Sequence, residues 1–388
     1  MSGYRFHLSR PSGIPSGGIK PSQILSKPEP LPAPTGAYPY RYDLQTIIPA
    51  AAYQEIMSSG MMVFHLTADT GGVKEPSFQQ RVADQLEAQF TNAGQQKPSF
   101  LYIPGDVVYY YGERANYNSQ FYEPYKFYPA PILAIPGNHD GDVDPTNPAS
   151  SLAAFTAFFC SPSPVTSPEA GDAPRTTVCQ PNPYWTLQTP FADIIGLYTN
   201  VPEGGVVDAV QAAWFVEELK NSGLAANRAK KALIVALHHP PYSLDNHHSG
   251  SLAMQQLLTT SFAAAGIQPD LIVSGHVHNY QRFTMTIGGQ QQPYIVAGSG
   301  GYWHLHQVDR SQAGPTGIIT TPVKTPYPGM VLDNYCDDHH GFMRITIDSG
   351  SRNLTGEFFT APQPADPVSA AATLYDKFTL NLTTHLLA

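Results

Sequence analysis

Positive charge is what this chain has least of. Its 21 Lys and Arg stand against 30 Asp and Glu, a net charge of -9 over 388 residues. A protein that grips a phosphate backbone needs a basic face, so no nucleic-acid-binding face is expected. Charge of either sign is sparse, at 13% of residues, which leaves the surface to Ser, Thr, Asn, Gln and Tyr. Three cysteines, Cys160, Cys179 and Cys336, are too few for a disulfide framework. Cys160 and Cys179 bracket a Pro/Ser/Thr-rich stretch, where a bridge in an oxidising compartment and two unrelated thiols are equally good readings. Long apolar runs are also missing. Nothing approaches the ~20 residues that span a bilayer, so no transmembrane segment is expected. Met1–Pro34 lacks the apolar core of an export signal, and the sequence leaves the compartment undecided.

What is present describes a folded chain. Hydrophobic residues make up 42%, enough for a sizeable core. The 37 prolines read as fixed loops, because apolar strands keep recurring between them. Residues 1–60 hold nine prolines and little periodicity, and are expected to form an extended arm on a catalytic domain spanning 61–388. Strands are expected at Met61–Ala68, Ser99–Pro104, Pro131–Pro136, Tyr184–Gln188, Ala192–Thr199, Lys231–Leu237 and Asp270–Ser274. Further strands follow at Tyr280–Ile287, Pro293–Ala297, Phe342–Ile347 and, as a terminal strand, 377–382. Helices are expected after Pro76, at Ser151–Phe159, at Val210–Ser222 and around Leu252–Ala265. Loops are expected at Ser161–Pro183 and, as an insert, at 310–335.

Five short islands sit at the ends of these apolar runs: Asp69-Thr70-Gly71, Gly105-Asp106-Val107-Val108-Tyr109, Gly137-Asn138-His139-Asp140, Val235-Ala236-Leu237-His238 and Gly275-His276-Val277-His278. Open α/β sheets place ligand sites at the C-terminal ends of strands, so the islands are placed to converge. A two-metal hydrolase needs hard oxygen and nitrogen donors and a carboxylate shared between ions roughly 3.5–4 Å apart. Asp69 and Asp106 supply anionic oxygens, His238, His276 and His278 imidazoles, and Asn138 a neutral carbonyl. Each island alone is explained by a turn or a helix cap; five in this order are not.

The set resembles the calcineurin-like metallophosphoesterases, and more narrowly the purple acid phosphatases. The wider superfamily has Asp-x-His in its first island, whereas this chain has Gly71. Purple acid phosphatases take a tyrosine from Gly-Asp-x-x-Tyr instead, and Tyr109 stands there, 38 residues further on. A phenol with a pKa near 10 binds as phenolate only to a strongly polarising ion. The resemblance therefore implies a binuclear centre with Fe(III) in the Tyr109 site and Fe(II), Zn(II) or Mn(II) in the second. Mapped by motif position, Asp69, Asp106, Tyr109 and His278 hold the first ion. Asp106, Asn138, His238 and His276 hold the second, with Asp106 bridging.

The resemblance also implies a fold: a four-layer α/β/β/α sandwich of two mixed sheets with the metal site at strand C-terminal ends. It implies hydrolysis of a small-molecule phosphate monoester, releasing inorganic phosphate after in-line attack by a hydroxide generated on the ions. His139 is expected to contact the phosphate or protonate the leaving alcohol, His248 to be the second such histidine, and Asp140 to orient His139. A phosphodiesterase, or a phospholipid headgroup or nucleotide hydrolase, is the alternative on the same fold. A non-catalytic metal-binding protein is the alternative from another class. Tyr110–Tyr128, Ser161–Pro183, Tyr242, Trp303 and His304 are the places where substrate choice is expected, with ordinary packing as the competing explanation. Larger relatives carry an N-terminal β-sandwich domain, which is expected to be missing.

Overall fold

The computed structural model describes residues 27–92, 94–146, 149–314 and 316–388. It is an α/β fold with two mixed sheets. The seven-stranded sheet runs in space through Leu386–Leu387, Thr373–Asn381, Asn353–Thr360, Gly341–Asp348, Met61–Leu66, Leu101–Pro104 and Ile132–Ile135. The nine-stranded sheet runs through Arg41–Asp43, Trp185–Gln188, Ala192–Leu197, Ala232–Leu237, Leu271–Ser274, Gln290–Ala297, Tyr280–Ile287, Met330–Cys336 and Val323–Lys324.

Strand alternation decides where the core lies. Met62, Phe64 and Leu66 from one sheet join Ile194, Ile234 and Val273 from the other in a single buried cluster. Residues of opposite parity, such as Leu101, Ile103, Val235 and Ile272, pack instead with helical Leu86, Trp214 and Phe262. Both faces are covered, so these strands read as continuous apolar runs rather than alternating ones. The helices follow their local signals. Pro76–Ala88 opens with proline in its first turn. Ala209–Ser222 is capped by Asp208, which accepts from Gln211 N, and Leu252–Ala265 by Ser251, which accepts from Met254 N.

Register makes the strand ends level. Pro104 lies beside Ile135, Leu237 beside Ser274, and Ser274 beside Val296. All these strands run parallel, so their C-terminal loops leave the sheets side by side.

Three expectations need correction. Within the segment expected as an arm, residues 41–43 form an edge strand parallel to Trp185–Gln188, and Ala50–Ser59 is a helix; residues 1–26 lie outside the described residues. The insert expected at 310–335 holds a strand of the nine-stranded sheet, Met330–Cys336, paired with Tyr280–Ile287. The terminal strand is longer than 377–382, spanning Thr373–Asn381, and pairs with Asn353–Thr360, which was not anticipated. In the Ser161–Pro183 loop, Cys160 and Cys179 face each other across an isolated antiparallel bridge as free thiols. No described helix is long and apolar enough to cross a membrane.

One buried polar group sets an acid limit on this core. His65 has its Nδ1 3.1 Å from Tyr128 Oη and its Nε2 3.0 Å from Gln89 Oε1, which also accepts from Arg344. An amide oxygen only accepts, so Nε2 carries the proton and Nδ1 receives the tyrosine hydroxyl. Burial, with Arg344 nearby, pushes the imidazole down to about 3. The unfolded chain takes up this proton below about 6.5 while the folded chain does not. The contribution is therefore intact above that pH and is lost progressively as pH falls towards about 3, at up to about 1.4 kcal/mol per pH unit. Urea midpoints should fall more steeply through this window for the wild type than for His65→Gln; parallel curves would refute this role for His65.

Candidate binuclear metal site

The loops leaving the strand ends bring all seven expected ligand side chains together. Asp69, Asp106 and Asn138 follow Met61–Leu66, Leu101–Pro104 and Ile132–Ile135 of the seven-stranded sheet. His238, His276 and His278 follow Ala232–Leu237 and Leu271–Ser274 of the nine-stranded one. Asp69, Asp106 and His276 hold φ of 58°, 53° and 68°. Three non-glycine residues in the left-handed region at one site are a local cost that the surrounding structure must hold in place.

The side chains fall into two groups. In the first, Asp69 Oδ1 lies 3.2 Å from Tyr109 Oη and 3.5 Å from His278 Nε2. In the second, Asn138 Oδ1 lies 2.9 Å from His238 Nε2 and 3.0 Å from His276 Nδ1. Asp106 reaches both: its Oδ1 is 3.4 Å from His238 Nε2, and its carboxylate also acts on the Tyr109 hydroxyl. Asp106 thus lies between the two groups, and its carboxylate, that of Asp69 and the His238 imidazole offer ligand atoms within 4.8 Å of one another.

The outward nitrogen of each imidazole is also engaged. His238 Nδ1 is 3.0 Å from Pro104 O, His278 Nδ1 3.2 Å from His304 O, and His276 Nε2 3.3 Å from Glu203 Oε2. Such contacts fix ring orientation and tautomer and leave the opposite nitrogen basic and facing inward. Donors of this kind, pointed at common centres, suit a pair of hard or borderline cations.

Close packing holds the arrangement. A Cβ on Gly137 would sit 2.1 Å from Asp106 Oδ1, so this loop can cross the carboxylate only as glycine. A Cβ on Gly71 would sit 2.4 Å from Tyr109 Cδ2 and 2.5 Å from Gln120 Oε1. The absent side chain at 71 and the phenol at 109 thus occupy one space.

Electrostatics favours positive charge here. Burial works to raise Asp106, yet the facing His238 and His139 hold its carboxyl well below the usual range. Burial pushes Asp69 up to about 7, with Asp106 adding to the rise and His238 opposing it. Burial would lower His238, but Asp106 and Asp69 draw a proton onto it and raise it to about 9. Tyr109 is raised well above 10, by burial and then by Asp106 and Asp69. Nothing among these protein groups stabilises a phenolate; a cation of high charge would.

The remaining expected residues are near by. His139 Nδ1 donates to Tyr110 O at 2.8 Å, its amide donates to Asp106 Oδ1 at 2.9 Å, and its ring lies 4.5 Å from that of Tyr109. Asp140 was expected to orient His139. Its carboxylate instead accepts the amides of Gly137, Val107 and Val108 at 2.8, 3.1 and 3.1 Å, and so ties the Asp106 loop to the Asn138 loop. His248 Nδ1 lies 3.0 Å from Glu203 Oε1, with its ring 4.3 Å from His276. Tyr242 packs on Tyr294 and Tyr327. In the 110–128 segment, Tyr117, Phe121, Tyr122 and Tyr125 are core residues. Packing explains these aromatics.

Two neighbours of the site carried no signal in the sequence. Glu203 contacts both His276 and His248, and burial would raise it, but those two histidines pull it well below the carboxylate range. It comes from a Pro-Glu-Gly-Gly turn that matches no motif. Tyr302 lies with its ring 4.6 Å from Tyr109 and 4.3 Å from His278.

The chain is 26% identical over 177 residues to purple acid phosphatase 21 of Arabidopsis thaliana, covering 44% of this chain and 36% of that protein. The chain thus spans about a third of the length of that relative. Among solved structures, GAP50, the anchor in the inner membrane complex of Plasmodium, superposes with a TM-score of 0.49 at 14% identity, covering 81% of this chain and 90% of that one. The profile of the calcineurin-like phosphoesterases matches residues 62–280, more than half of the chain and all five islands within it. The chain belongs to the calcineurin-like phosphoesterase family.

Proposed function

We propose that this chain is a two-metal hydrolase of phosphate monoesters, of the purple acid phosphatase type. The observation that carries this reading is the fit between Gly71 and Tyr109, which puts a phenol 3.2 Å from Asp69 Oδ1 in the space a side chain at 71 would fill. Family membership supports phosphoester hydrolysis at a binuclear centre. On this reading Asp69, Asp106, Tyr109 and His278 hold Fe(III), and Asp106, Asn138, His238 and His276 hold Fe(II), Zn(II) or Mn(II). When bound, the two ions supply Lewis acidity and a water of lowered pKa for in-line attack on phosphorus.

The chain's own groups do the rest. His139, pinned at Nδ1 by the Tyr110 carbonyl, keeps Nε2 for the phosphate or for the leaving oxygen. His248, held by Glu203, places its ring next to that of His276. Asp140 ties the Asp106 loop to the Asn138 loop by accepting the amides of Val107 and Val108 as well as that of Gly137.

The test is spectroscopic and enzymatic together. The iron-loaded wild type should show a visible tyrosinate-to-iron(III) charge-transfer band and release phosphate from an aryl phosphate. Tyr109→Phe should lose the band while the protein stays folded. A wild type that binds iron without the band refutes the phenolate assignment. Activity confined to bis-aryl esters would replace the monoester reading by the diester one.

A further inference from the structure

A second group of imidazoles stands beside His278, outside the seven converging side chains. His247, His304 and His306 each offer a ring nitrogen, and these nitrogens all lie within 4.8 Å of one another. The ring centroids of His247 and His306 are 4.4 Å apart, with His304 at 6.1 and 5.6 Å from them. Two loops are stitched together to make this group. Asn246 N donates to Gln307 O at 3.0 Å, Asp245 and Val308 form an isolated bridge, and His306 N donates to His278 O at 2.9 Å.

His306 is the informative member. It is only 7% exposed, and its buried Nδ1 has no hydrogen-bond partner. That nitrogen lies 3.4 Å from Asp245 Oδ2, a carboxylate fixed by the amides of His247 and His248 at 2.8 and 2.7 Å. A buried ring nitrogen left without a partner is a cost to the fold. A cation bound among these rings would give that nitrogen its partner.

We infer that His247, His304 and His306 form a third cation site, suited to a borderline divalent ion such as Zn²⁺, with one coordination position left open. Imidazole is a preferred donor for such ions, and three histidines with an open fourth position are an established zinc arrangement. The Asp245 carboxylate beside His306 adds negative charge that favours a bound cation. Zinc–nitrogen bonds of about 2.0–2.1 Å in a tetrahedral site require nitrogens roughly 3.3 Å apart, so the group must tighten. His304 is exposed and His247 half-buried, and rotation of these two side chains can close it.

The site is independent of the reading given to the seven converging side chains. The experiment is equilibrium dialysis of the full chain against zinc, followed by metal analysis. His304→Ala and His247→Ala should each hold one zinc fewer per chain than the wild type at the same free zinc, with unchanged melting in chelator. The His304-dependent difference should persist in an Asp106→Asn background. Equal zinc content in the wild type and both single variants overturns the inference. So does a difference that disappears with Asp106→Asn.

Discussion

Asp106→Asn should reduce phosphoester hydrolysis to background and release metal from both halves of the centre. The variant is suited to folding, because asparagine tolerates the left-handed backbone that Asp106 adopts at φ 53°. It also keeps an oxygen able to accept the His139 amide. What it removes is the negative charge lying between the two side-chain groups, on a carboxyl that His238 and His139 hold ionised against the effect of burial. Charge stabilisation by bound ions is worth several kcal/mol in such reactions, so the rate should fall on the order of 10⁴-fold or more. Metal analysis beside an aryl phosphate assay reads both effects. Full metal content with activity within about tenfold of wild type would rule out a bridging role.

His139→Ala should separate chemistry from metal binding. The His139 side chain contacts the Tyr110 carbonyl and the Tyr109 ring, and its backbone amide donates to Asp106. Truncation therefore leaves the amide contact and both side-chain groups in place. A positioned acid–base group contributes about 10²–10⁴-fold to rate, and kcat should drop by that much with metal content and visible spectrum unchanged. The dependence on leaving group identifies the role. If His139 protonates the leaving oxygen, alkyl phosphates should lose more than nitrophenyl phosphate. If it holds the phosphate, both should lose equally and KM should rise. An unaltered kcat for both esters would remove His139 from the reaction.

The site was more legible in the sequence than the sheets that carry it. Asp69, Asp106, Asn138, His238, His276 and His278 were found because each follows a buried run, and burial on both faces makes such runs continuous. Leu252–Ala265 and Tyr280–Ile287 match their expected bounds because a serine cap and a glycine turn mark them. Met330–Cys336 was missed because its inner Met330 and Leu332 alternate with half-buried Val331 and Asp333 inside a proline-rich stretch. Asn353–Thr360 failed in the same way, since only every second residue is buried. Asp140 was placed in the right loop with the wrong contact, because nothing local distinguishes a carboxylate facing an imidazole from one facing three amides. Glu203 lies 73 residues from His276, and only the tertiary fold pairs them.

The strand ends that carry the two side-chain groups belong to different sheets, and this has a mechanical meaning. Asp69, Asp106, Tyr109 and Asn138 travel with one sheet, while His238, His276 and His278 travel with the other. On the proposed reading each ion is a rivet through both layers, since each takes donors from both. Sliding or opening of one layer against the other would have to break coordination bonds as well as the apolar seam. Metal loading would therefore tighten the whole body of the protein, raising its resistance to pulling, heat and proteases far from the chemistry, and loss of iron would loosen the molecule along that seam.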